Sequence, residues 1–163
     1  MRQRLFAMRI LWLGIATASV LFLAVLRVGD LPSKPPDSMM VAAIAAAALA
    51  DLVVSVILPA RLLGAALRGL SGQIVERAEK RAFAEPQPAN RAITAALQSP
   101  FILGLALTES VALFGLALGR LGAPFPVVLP FFAVAWVGFA LRFPTQAKIA
   151  AAVKKHLDVD LPP

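Results

Sequence analysis

The stretch LALTESVALFGLALG, residues 105–119, sets one carboxylate, Glu109, in the middle of an otherwise apolar helical run. In water such a glutamate would need no explanation. In hydrocarbon an ionised side chain costs about 3 kcal/mol on insertion scales, and more by simulation. Whether this run crosses a membrane therefore decides both the fold and the chemistry of Glu109. Composition answers for the chain as a whole: of 163 residues, 60% are hydrophobic and 15% charged, with a mean hydropathy of +0.81. Soluble domains are apolar to about one half. The expected class is an all-α, polytopic membrane protein with no room for a large soluble domain.

Outward from that run, four apolar segments are long enough to span a bilayer, at about residues 5–26, 39–60, 101–119 and 126–141, a span needing about 20 residues. The second carries Asp51, and in the fourth Pro130 is expected to bend the first turns. The first segment has a competing reading as a signal peptide, with MRQR as its basic start and Ala16-Thr17-Ala18 as a cleavage-like site. The apolar run continues through SVLFLAVL to Arg27, longer than such leaders, so a retained helix is expected.

Basic residues fix an expected orientation. Of the 16 Lys and Arg, 13 lie in the N-terminus, the 61–98 connection and the C-terminal tail, and three (Arg27, Lys34, Arg120) lie on the other side. By the positive-inside rule both termini are cytoplasmic, in what is expected to be a bacterial inner (cytoplasmic) membrane. The external connection VGDLPSKPPDS reads as a short irregular loop. The 61–98 connection mixes apolar and basic residues at helical spacing; its first part either prolongs the second span or lies at the interface, and Pro86 and Pro88 are expected to mark a turn. After Pro144 the tail, about 145–163, places Ile149, Val153 and His156 or Leu157 on one face, which fits an amphipathic surface helix or a plain solvated one.

Residue counting at about 1.5 Å per residue puts both Asp51 and Glu109 about 15 Å from the cytoplasmic ends of their spans, near the bilayer midplane. The small residues of AAIAAAALAD (42–51), with Gly104, Thr108 and Ser110, permit close packing of the second and third helices. If the two acids face each other, they could share one proton or one cation, with Thr108 and Ser110 completing the site. Two carboxylates in a dry site cannot both stay ionised without a counter-charge. No Lys or Arg lies near the middle of any span, so compensation is expected from a proton, an inorganic cation or a partner's arginine. The other reading is a protonated pair that only joins two helices.

Residues 98–119, QSPFILGLALTESVALFGLALG, resemble the carboxylate-bearing helix of the subunit c proteolipids of rotary F-type and V-type ATP synthases: a glutamate follows a GLAL run, and an aromatic, Phe114, comes five residues later. AEPQPANRA, residues 84–92, is similar to the polar cytoplasmic loop of that family. The resemblance is close over 98–119 and loose over 39–120. It implies a helical hairpin in which Glu109 carries the ion, with Ser110 and Asp51 where sodium-binding members place a hydroxyl and a polar ligand. The chain departs from the family in having alanines where the first helix carries a glycine stripe, a longer connection, and two flanking spans.

Two functions are therefore expected. The first is a small membrane subunit handling a proton or sodium ion through Glu109, as a homo-oligomer or part of a membrane complex. The second is a non-catalytic accessory subunit whose acids serve helix packing. Either would contact anionic lipid at the cytoplasmic face. With no cysteine, one histidine (His156) and no glycine-rich phosphate loop, nothing points to an enzyme, and no cofactor beyond a bound proton or Na+ is expected. Dispersed basic residues without an aromatic platform exclude nucleic acid as a partner.

Overall fold

The computed structural model describes residues 2–28, 35–77, 80–83 and 86–159. Within them are five helices: α1 (Arg2–Val28), α2 (Ser38–Arg68), α3 (Pro86–Arg120), α4 (Phe125–Arg142) and α5 (Gln146–Leu157). The first four are long and apolar enough to cross a membrane. The fold is all-helical in class, as expected, with one small addition. Between α2 and α3 in the sequence, β1 (Ile74–Arg77) and β2 (Lys80–Phe83) form a short antiparallel strand pair, with Ile74 opposite Phe83 and Arg77 opposite Lys80.

Each boundary has a local cause. Asp37 caps α2 by accepting from the Met39 N–H at 3.3 Å. The expected turn at Pro86 and Pro88 is instead the first turn of α3, where a missing N–H removes no helical hydrogen bond. α3 ends in a Schellman turn: Ala123 N–H donates to the Leu118 carbonyl and Gly122 N–H to that of Gly119, both at 3.0 Å. Gly122 has φ 89°, which a side chain would strain. Pro144 stops α4 by holding Phe143 out of the helical region, at φ −54° and ψ 124°, and Thr145 then caps α5 by accepting from the Lys148 N–H at 3.2 Å.

α3 is the axis of the bundle and packs against α1, α2 and α4. One core cluster gathers Leu26, Ala48, Leu105, Leu118, Phe132 and Phe139 within the spanning region. A second gathers Leu5 of α1, Leu67 of α2, Ile93 and Leu97 of α3, and Ile149, Val153 and Leu157 of α5. The start of α1 and the whole of α5 therefore lie at one end of the bundle. At about 1.5 Å per residue, α2 and α3 reach about 46 and 52 Å, longer than a ~30 Å hydrocarbon core. Their surplus lies at the end where α5 docks. The apolar face of α5 is covered by protein and is not left to lipid or water, because Leu67, Ile93 and Val153 are fully buried there.

Polar contacts join α1 to α4. The Trp12 indole donates to the Phe139 carbonyl at 2.8 Å, and the Trp136 indole donates to Ser19 Oγ at 3.0 Å. The Phe139 carbonyl is free for this because Phe143 N–H closes a tighter turn onto Ala140. Lys148 Nζ donates to the Leu141 and Phe143 carbonyls at 2.7 and 3.1 Å, and Arg9 Nε to that of Pro144 at 3.4 Å. Cations thus gather where the α4 dipole is negative.

Candidate functional site

Asp51 and Ser110 meet across the α2–α3 contact, where the Ser110 hydroxyl donates to Asp51 Oδ2. Ser110 also lies 2.8 Å from the Leu107 carbonyl of its own helix. A hydroxyl has one hydrogen, so it serves one of these acceptors at a time. Ala48, one turn before Asp51, is buried in the same contact, so the alanine face lets the helices approach.

Thr108 turns elsewhere. It is fully buried, donates to the Gly104 carbonyl at 2.7 Å, and presents its methyl to α4 at Gly138, where an added Cβ would lie 2.7 Å away. Glu109 follows a third direction, since successive helical side chains diverge by about 100°. It is partly exposed and makes no hydrogen bond or ion pair among the described residues. Asp51 and Ser110 are therefore joined, while Thr108 and Glu109 each point away from that pair. No group of three metal-ligating side chains occurs among the described residues.

Sequence reasoning missed Arg142. It closes α4, yet its guanidinium reaches back into the bundle. Nη2 donates to the Ser55 carbonyl at 2.7 Å and to Ser55 Oγ at 3.0 Å, and Nη1 donates to the Gly138 carbonyl at 3.3 Å. The cause lies in α2. Pro59, four residues after Ser55, has no N–H, so the Ser55 carbonyl lacks its helical donor. In hydrocarbon such an orphan costs several kcal/mol, and Arg142 satisfies it. Gly104 makes room, because a Cβ there would lie 3.2 Å from Arg142 Nε. The signal was present in the sequence as a serine four residues before a proline, but nothing local tied it to an arginine 87 residues away. Ser55 is one helical turn from Asp51, so a cation does stand close to the acid level. Among the described residues Arg142 nevertheless forms no ion pair.

A cleft of about 230 Å³ opens beside Arg142, between α2, α3 and α5. Pro59, Ala60, Pro100 and Gly104 line it, residues too short or too constrained to fill the gap between diverging helices. No known protein family, curated protein or solved structure matches this chain.

Proposed function

We propose that the chain is a small integral membrane subunit that takes up and releases a proton at Glu109, on the flank of α3, within a larger membrane assembly. The observation that carries this reading is the isolation of Glu109. It is an acid in the middle of an apolar span that makes no hydrogen bond or ion pair among the described residues, while Asp51 already has Ser110 as donor. An uncompensated carboxylate in hydrocarbon is costly, so its charge must be removed by a proton or met from outside the chain. The likeness of residues 98–119 to a proteolipid helix supports the same residue. A proton fits better than sodium, because hard cations want several oxygen ligands and Asp51, Thr108 and Ser110 do not converge on Glu109. The exchange itself is simple: the carboxyl O–H bond breaks as the proton passes to a water or a partner's base, and re-forms on return.

The second reading is an accessory subunit that binds its assembly through apolar helix faces. The Asp51–Ser110 contact favours it, since this acid joins two helices. Both readings keep the sidedness proposed from the basic residues, with the α5 end cytoplasmic.

Carbodiimide labelling of the purified protein, read by peptide mass spectrometry, separates them. These reagents modify protonated carboxyls in apolar surroundings. The proton-exchange reading predicts labelling of Glu109 in preference to Asp51, falling as pH rises and lost in Glu109→Gln. An unreactive Glu109, or labelling indifferent to pH, would leave the accessory reading.

A further inference from the structure

We infer that the cleft beside Arg142 is a binding site for one anionic phospholipid, with the phosphate held by Arg142 and Lys148 and an acyl chain lying along α2 and α3. This goes beyond the proton reading and does not depend on Glu109.

The cleft has two chemically distinct parts. Its walls are apolar, formed by Leu63 of α2 and Leu97 and Phe101 of α3. Among the described residues its charged lining groups are Arg142 and Lys148, both cationic, and no described carboxylate lines it. Arg9 adds a third cation beside the same turn, with its guanidinium 5.5 Å from the Phe143 ring centre.

The cations have capacity to spare. A guanidinium carries five N–H donors, and Arg142 uses three, all on neutral oxygens. Nε–H and one Nη1–H remain among the described contacts. Nε sits against Gly104, where an added Cβ would lie 3.2 Å from it. Lys148 Nζ uses two of its three hydrogens, on the Leu141 and Phe143 carbonyls. Existing bonds thus hold both cations in place without neutralising them, and a phosphodiester matches the planar donor edge of a guanidinium. The fit to lipid over free phosphate comes from the walls, which offer a polar anion nothing but suit an acyl chain. A second cleft, of about 280 Å³ between α2 and α4, is lined among the described residues by apolar side chains alone, such as Ala48, Leu52 and Phe131. It offers a chain the same walls with no charge, so it gives no preference among headgroups.

The test is native mass spectrometry of the full chain released from mild detergent, after exchange with phosphatidylglycerol or phosphatidylcholine of identical acyl chains. One phosphatidylglycerol should be retained, with about tenfold preference over phosphatidylcholine, as expected for charge-assisted bonds. Ala60→Phe fills the cleft from an exposed position and should remove retention while circular dichroism stays unchanged. Arg142→Gln should lower it about tenfold; if that variant misfolds, Ala60→Phe decides. Equal retention of both lipids, release of phosphatidylglycerol by inorganic phosphate, or full retention by Ala60→Phe would each overturn the assignment.

Discussion

Replacing Gly115 by valine is expected to force α3 and α4 apart and to lower bundle stability by about 3 kcal/mol, the upper range for overpacking a core. A Cβ at this position would lie 2.8 Å from Phe131 Cβ and 3.1 Å from the Phe132 ring. The first of these atoms is fixed to its backbone and cannot rotate away. The second belongs to a fully buried ring at the heart of the spanning cluster. Gly119 makes the contrast. Its added Cβ would meet Leu26 at 2.7 Å, but the atoms there are the ends of a flexible side chain, so Gly119→Ala should lose about 1 kcal/mol. Gly14 has nothing within 4 Å of the same point, and Gly14→Ala should be neutral or gain slightly from helix propensity. Unfolding in mixed micelles by sodium dodecyl sulfate, followed by circular dichroism, ranks the three. Equal losses at Gly115 and Gly14 would show that the α3–α4 approach is wrongly placed.

The second large effect belongs to Arg142. Arg142→Ala strands the Ser55 carbonyl, and leaving a buried acceptor unmet costs about 1–3 kcal/mol. The loss should depend on Pro59, because the proline created the vacancy that Arg142 fills. Pro59→Ala returns an N–H to the Ser55 carbonyl through the ordinary helical bond. The double variant Pro59→Ala, Arg142→Ala should therefore be less destabilised than the sum of the single changes, by about 1 kcal/mol or more. Additive losses in the same unfolding measurement would mean that the arginine stabilises α4 for another reason. The pairing also explains why an interior proline is tolerated in α2: the freed carbonyl finds a donor on a neighbouring helix.

How far these features could be read from the sequence differs by their range. The four spans were legible because apolar run length is a local property, and α1 to α4 cover them with added turns at their ends. The pairing of α2 with α3 was legible from the small residues of 42–51 together with Gly104, Thr108 and Ser110, and Asp51 and Ser110 do meet. The strand pair of 74–77 with 80–83 was not, because QIVERAEKRAF also fits helical spacing and only Ile74 and Val75 argue for strand. Facing of the two acids is a question of rotation about α3, and depth alone could not settle it. Ser110 and Glu109 share a depth yet point about 100° apart. In the sequence Arg142 is only one more basic residue at the end of a span, since charge counting ignores where a long side chain reaches. Its partner was set by a proline on another helix, a relation visible only once the helices are packed.

The proposal that Glu109 exchanges a proton is tested most directly by infrared titration of the protein in bilayers, comparing wild type with Glu109→Gln and Asp51→Asn. The account predicts a protonated-carboxyl band that Glu109→Gln removes, that Asp51→Asn retains, and that fades reversibly as pH is raised. A band that survives Glu109→Gln, or one that pH does not move, would contradict it.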